Sequence, residues 1–197
     1  MTKSLLLAQG LTHSVDSREL FAELSVHVQE GELIELNGPN GSGKTTLLRI
    51  LLGLQKPDRG KAICYAESIG FVGHRPGLSG LLTLVENIRW NLSLSQCVVS
   101  DKEIRHRLAE FGLNQCFTVS VNELSAGQVK RGALCALTLA RHSLWALDEP
   151  MASLDSQGEE LLASMLDVHR NNGGAAIVAT HIPIASPTDE HIVLGVA

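Results

Sequence analysis

The stretch from Leu33 to Leu48, LIELNGPNGSGKTTLL, constrains this chain more than any other. An apolar run with strand preference (Leu33, Ile34, Leu36) enters Gly38-Pro39-Asn40-Gly41-Ser42-Gly43-Lys44-Thr45-Thr46, and helix-forming leucines follow at once. This is G-x-x-x-x-G-K-[ST] between a strand and a helix, the phosphate-binding P-loop. Gly38, Gly41 and Gly43 allow backbone angles denied to other residues, so successive N–H groups can converge on one anion. The helix that starts near Lys44 adds the positive end of its dipole. The Lys44 ammonium suits the β- and γ-phosphates, and the Thr45 hydroxyl suits Mg²⁺.

The rest of the chain is consistent with a single phosphate-binding α/β domain. Its 197 residues are 44% hydrophobic, enough for one substantial core. No run of eighteen apolar residues is present, so no spanning helix is expected. Met1 to Ala8 mimics a short signal peptide, but Gln9 and Gly10 end the apolar run, and a first strand is expected there. The net charge of −5, without a Lys/Arg cluster, argues against nucleic acid as a partner. Cys64, Cys97, Cys116 and Cys135 show no C-x-x-C spacing and read as reduced thiols of a cytosolic protein.

Alternation predicts strands at 4–8 and 23–29, joined by a polar loop from Leu11 to Phe21. Short strands are expected again at Lys61–Tyr65 and Ser68–Val72, giving a small β-rich front layer without βαβ alternation. Thr83 with Glu86 reads as a capping box, Ser100-Asp101 caps a second helix, and helical spacing runs to about Phe117. Leu124-Ser125-Ala126-Gly127-Gln128 opens a long helix to about Arg141. The β/α pattern then resumes, with strands at Leu144–Leu147, Ala175–Ala179 and Ile192–Leu194 and a helix over Ser156–Arg170. The expected fold is one α/β domain over residues 1–197: a mixed β core with a helical subdomain inserted at about 74–141.

Two strand ends carry the remaining chemistry. Leu144-Trp145-Ala146-Leu147 is wholly apolar, as buried parallel strands are, and ends in Asp148, a second Mg²⁺ ligand beside Thr45. Glu149 can orient or deprotonate a water at the γ-phosphate. His181 follows the apolar strand Ala176–Ala179 and occupies the equivalent place beside the phosphate crevice. Asp155 and Ser125 each fit either a ligand role or a plain helix cap.

Taken together, these residues resemble the ATP-binding subunits of ABC transporters. Leu124–Gln128 is similar to the LSGGQ signature with one glycine replaced by alanine. Asp148-Glu149-Pro150 matches the Walker B end and catalytic glutamate, Ala152-Ser153-Leu154-Asp155 the D-loop, and Thr180-His181 the switch histidine. The resemblance covers nearly the whole chain, in the family's order. It implies a P-loop NTPase fold, ATP and Mg²⁺ as ligands, and a second copy of the chain closing over two nucleotides. Ser125, Gly127 and Gln128 of one copy, with Asp155, would then face the nucleotide held by the other.

Within the family the chain most resembles the cytochrome c maturation, or haem exporter, branch. The compact size, the stretch Ile69–Leu78 with His74 at the usual Q-loop glutamine, and Leu82–Ile88 carry that likeness. It implies integral membrane partners of a haem-exporting or cytochrome c maturation complex, at the cytoplasmic face of the bacterial inner membrane. His74 would bridge metal or water to those partners. No direct haem ligation is expected, because no C-x-x-C-H motif occurs. Three departures stand out: His74 itself, Val15 where an adenine-stacking aromatic is usual, and Val129-Lys130-Arg131 after the signature. A soluble ABC-type ATPase, or a subunit serving another small substrate, is the competing reading; a GTPase is disfavoured because N-K-x-D is absent.

Overall fold

The computed structural model describes residues 2–195; Met1, Val196 and Ala197, the ends of the expected domain, lie outside the described residues. Strands β1 (Ser4–Val15) and β2 (Arg18–Gln29) form a long antiparallel hairpin, and β4 (Arg59–Cys64) adds to β1's other edge. Strands β3 (Leu33–Asn37), β5 (Ile69–Val72), β6 (Leu144–Asp148), β7 (Ala175–Thr180) and β8 (Glu190–Val193) make a second sheet in the order β5-β6-β7-β3-β8. Every pairing in that sheet is parallel.

Two expectations are corrected here. Residues 11–21 are not a loop but the outer half of the hairpin. The chain reverses at Asp16 and Ser17, both at positive φ (49° and 64°), as a two-residue hairpin turn requires. An Asp-Ser pair advertises such a turn far less clearly than Asn-Gly would. The front half is likewise not one β layer. β3 and β5 leave it to join the parallel sheet, because their residues are buried on both faces or pair with β6. Gly112, the expected end of the helix capped by Ser100-Asp101, takes φ 67° just past that helix's last residue, Glu110.

The helices are α1 (Lys44–Leu51), α2 (Leu84–Leu94), α3 (Asp101–Glu110), α4 (Ala126–Leu139) and α5 (Ser156–Asn171). α1 packs between the two sheets, touching β4 on one side and β6 and β7 on the other. Period-2 alternation along the central strands splits the core in two. Leu144, Ala146, Ala175, Ile177 and Ala179 point to α1 and the antiparallel sheet. Trp145, Leu147, Ala176 and Val178 point to α2–α5. An all-apolar strand is therefore what this position demands, which is why β6 and β7 were readable from sequence.

On the second face, the Trp145 indole stacks flat on the His169 imidazole, ring centroids 3.7 Å apart, while His169 Nε2 donates to the Ala175 carbonyl at 3.1 Å. Burial pushes His169 down from its ordinary 6.5 to about 4, and burial lowers the neighbouring His142 as well. A group with a depressed folded pKa binds protons more readily when unfolded, so its stabilisation is complete above 6.5 and is lost as pH falls toward 4. Thermal unfolding should therefore show Tm falling across this window, and less steeply in His169→Phe. An equal slope in the two proteins would rule His169 out as the cause.

Candidate active site

The parallel sheet explains why distant residues meet. β3, β7 and β6 are neighbours, so their carboxyl ends deliver the P-loop, His181 and Asp148-Glu149 to one crevice. Gly38 opens the loop where a Cβ would lie 2.6 Å from both the Leu194 carbonyl and Ser42 Oγ. Ser42 Oγ is buried and makes no hydrogen bond. Gly43, at φ 102°, precedes α1 and leaves that helix without a side-chain cap, whereas α2, α3 and α4 each carry a capping box and α5 is capped by Asp155. α1 thus keeps its N-terminal amides free for an anion, the chemistry a P-loop needs.

Lys44 is 5% exposed, and its ammonium donates to the carbonyls of Gly38 (2.7 Å) and Pro39 (3.2 Å). It also pairs with Glu149 Oε1 at 3.2 Å. His181 Nδ1 donates to the other oxygen, Oε2, at 2.8 Å. The Glu149 carboxylate is therefore held from two sides, and its backbone sits at φ 48°, a strained conformation for a non-glycine. Thr45 Oγ1 shares its proton between the two Asp148 oxygens, at 3.0 and 2.9 Å. A buried carboxylate facing a hydroxyl is a hard oxygen donor set. Among the described residues no cluster of three His, Cys, Asp or Glu could complete a metal cage. Two protein oxygens, with phosphate and water supplying the rest, fit Mg²⁺.

A cavity of about 430 Å³ lies over these groups, walled by Val15 and Leu20 from the hairpin tip, Asn40, Thr46 and His74. Val15, the residue expected at the family's adenine-stacking position, lines this cavity from the hairpin side. A larger recess, about 830 Å³, opens at the amino ends of β5–β7 near Ser68, Ser143 and Gly174. It holds no phosphate-binding loop, and chemistry rather than size makes the smaller cavity the site.

Ser125, Gly127, Gln128 and Asp155 do not line that cavity. Ser125 is the exposed N-cap of α4; its Oγ accepts from Gln128 N (3.2 Å), and its own amide donates to Gln128 Oε1 (2.9 Å). Asp155 caps α5 through Gly158 N at 2.9 Å. The capping reading of both residues is thus satisfied within one chain. The alanine in the signature is also accounted for. Ala126 is exposed, but a Cβ on Gly127 would sit 2.7 Å from the Ser153 carbonyl, so only the second position must remain glycine.

The family model described as "ABC transporter" matches residues 21–152. The chain belongs to the ABC transporter ATP-binding family. It is 39% identical over 188 residues to the cytochrome c biogenesis ATP-binding export protein CcmA of Vibrio cholerae, covering 90% of this chain and 91% of that one. The protein of the same name in Pseudomonas syringae pv. tomato is 40% identical over 186 residues, covering 89% and 87%. A solved structure described as the ATP-binding subunit of an ABC transporter superposes with a TM-score of 0.78 at 24% identity, covering 90% of this chain and 80% of that one. This ABC ATP-binding domain therefore has the P-loop NTPase fold of α/β type that its motifs implied.

Two site features escaped the sequence. Leu20 lies in β2, within the stretch whose sequence suggests a loop. Lys130 was visible but unexplained, although its spacing to Ala133, Leu134 and Leu137 placed a cation on α4's apolar face.

Proposed function

We propose that this chain is the ATP-hydrolysing subunit of a membrane complex for c-type cytochrome biogenesis, driving haem export or the release of haem to its chaperone. One observation carries the hydrolytic part: Thr45 with Asp148, and Lys44 and His181 with Glu149, converge at one helix terminus. The chain's similarity to cytochrome c biogenesis ATP-binding export proteins supports the biological setting.

In this reading the α1 amides and Lys44 take the β- and γ-phosphates, so ATP displaces Lys44 from its contact with Glu149. Thr45 and Asp148 would hold Mg²⁺, which supplies charge neutralisation on the phosphates when bound. Glu149 orients and deprotonates the attacking water, and His181 steadies the γ-phosphate side. His74, exposed at the cavity rim, bridges metal or water toward the membrane partners. At the exposed end of α4 the Ser125 cap engages only the Gln128 amide, so the earlier amides of that turn present a second anion-binding terminus to the nucleotide of another copy. The whole chain acts as one ATP-binding domain with α2–α4 as its helical subdomain.

Among the described residues no helix is long and apolar enough to cross a membrane. Attachment at the cytoplasmic face of the inner membrane would therefore run through integral partners. Affinity capture of the tagged chain from detergent-solubilised membranes should bring down integral membrane proteins of haem handling. Recovery with ribosomes instead would favour a soluble ABC-type ATPase and defeat the transporter reading.

A further inference from the structure

Lys130 lies two residues beyond the signature, on the face of α4 that packs into the core, and is only 3% exposed. No Asp or Glu oxygen of the described residues comes within ion-pair distance of its ammonium. Its partners are main-chain: the Glu149 carbonyl at 3.2 Å and, at the outer limit of a hydrogen bond, the Gly73 carbonyl at 3.5 Å. Burying a cation without a direct ion pair is costly, and burial lowers its pKa against the smaller opposing pull of the Asp148 and Glu149 charges. A methionine of similar volume would pack there at less cost, so core packing alone does not account for a lysine.

The two carbonyls explain it. One belongs to Glu149, whose backbone is held at φ 48°; the other belongs to the residue before His74. The Glu149 amide is already tied to the Ala179 carbonyl at 2.8 Å, so Lys130 fixes the opposite side of the same strained residue. The cation also sits on the helix whose N-terminus carries Ser125 and Gly127. We infer that Lys130 is a positioning residue: it holds Glu149 in its left-handed conformation and ties it, with the His74 loop, to the signature helix α4. Docking of α4's terminus on another copy's nucleotide is thereby mechanically joined to the chain's own Glu149. This rests on the proposed role of Glu149.

Steady-state phosphate release by the full chain tests it, with Lys130→Met and Lys130→Gln measured beside the wild type. The methionine variant should lose kcat by about tenfold or more, as misplacement of a water-activating group does, with KM for ATP within about twofold. Its Tm should be equal or higher, since an unpaired buried charge is gone. The glutamine variant, which retains an N–H donor for the carbonyls, should recover much of the lost kcat. A methionine variant that turns over at the wild-type rate, loses kcat only in step with ATP affinity or stability, or fails to fold would overturn the inference. So would a glutamine variant no better than methionine. Glu149→Gln separates the two levels: turnover by that variant would defeat the assignment of Glu149 itself, whatever Lys130→Met does.

Discussion

Glu149→Gln is expected to abolish turnover while leaving ATP binding intact. The amide keeps the shape of the carboxylate, and its single oxygen can still accept from Lys44 or from His181, whose contacts to Glu149 are 3.2 and 2.8 Å. What it loses is the ability to accept a proton from water, worth about a hundredfold to ten-thousandfold in rate. Phosphate release at saturating Mg-ATP should fall by that amount, with the Kd for ATP within a fewfold of wild type. Because hydrolysis would be what separates two closed copies, the variant should also accumulate as an ATP-bound dimer in sedimentation. Wild-type turnover would remove Glu149 from the chemistry.

Lys44→Ala should act one step earlier. The ammonium is buried and donates to the Gly38 and Pro39 carbonyls. Its charge-assisted bonds to phosphate are worth about 1.5–3 kcal/mol, so affinity should fall by about tenfold to a hundredfold. Equilibrium titration with a fluorescent ATP analogue measures this directly. An unchanged Kd would contradict the assignment of the loop as the triphosphate site. The two variants together separate binding from chemistry: one binds and does not turn over, the other binds poorly.

Much of this was legible in the sequence because the physics is local. A P-loop is written in nine consecutive residues, a capping box in four, and a buried parallel strand in an unbroken apolar run such as Leu144–Leu147. What escaped was set by tertiary placement. The hairpin tip was hidden because Asp16 and Ser17 adopt positive φ without the glycine that usually announces it. The division of the front strands between two sheets depends on which distant strands pair with β3 and β5. Lys130 looked anomalous until Glu149 and Gly73, far away in sequence, came to meet it. For Ser125 the sequence offers a cap or a ligand role, and the fold shows the cap. This residue caps α4 in one copy, and the same exposed terminus remains available to another.

On the proposed function, half of each hydrolytic site would come from a second chain. It can be tested by mixing two variants at an ATP concentration that fills wild-type sites and leaves Lys44→Ala sites empty. Lys44→Ala disables the phosphate side. Ser125→Asp keeps an efficient N-cap but places a negative charge against the partner's γ-phosphate. In a head-to-tail pair of the two, one site carries both defects and the other carries none. With random re-association, the equimolar mixture should recover about a quarter of the wild-type rate, although each variant alone is inactive. Phosphate release that stays at the level of the separate variants would contradict a site shared between two copies.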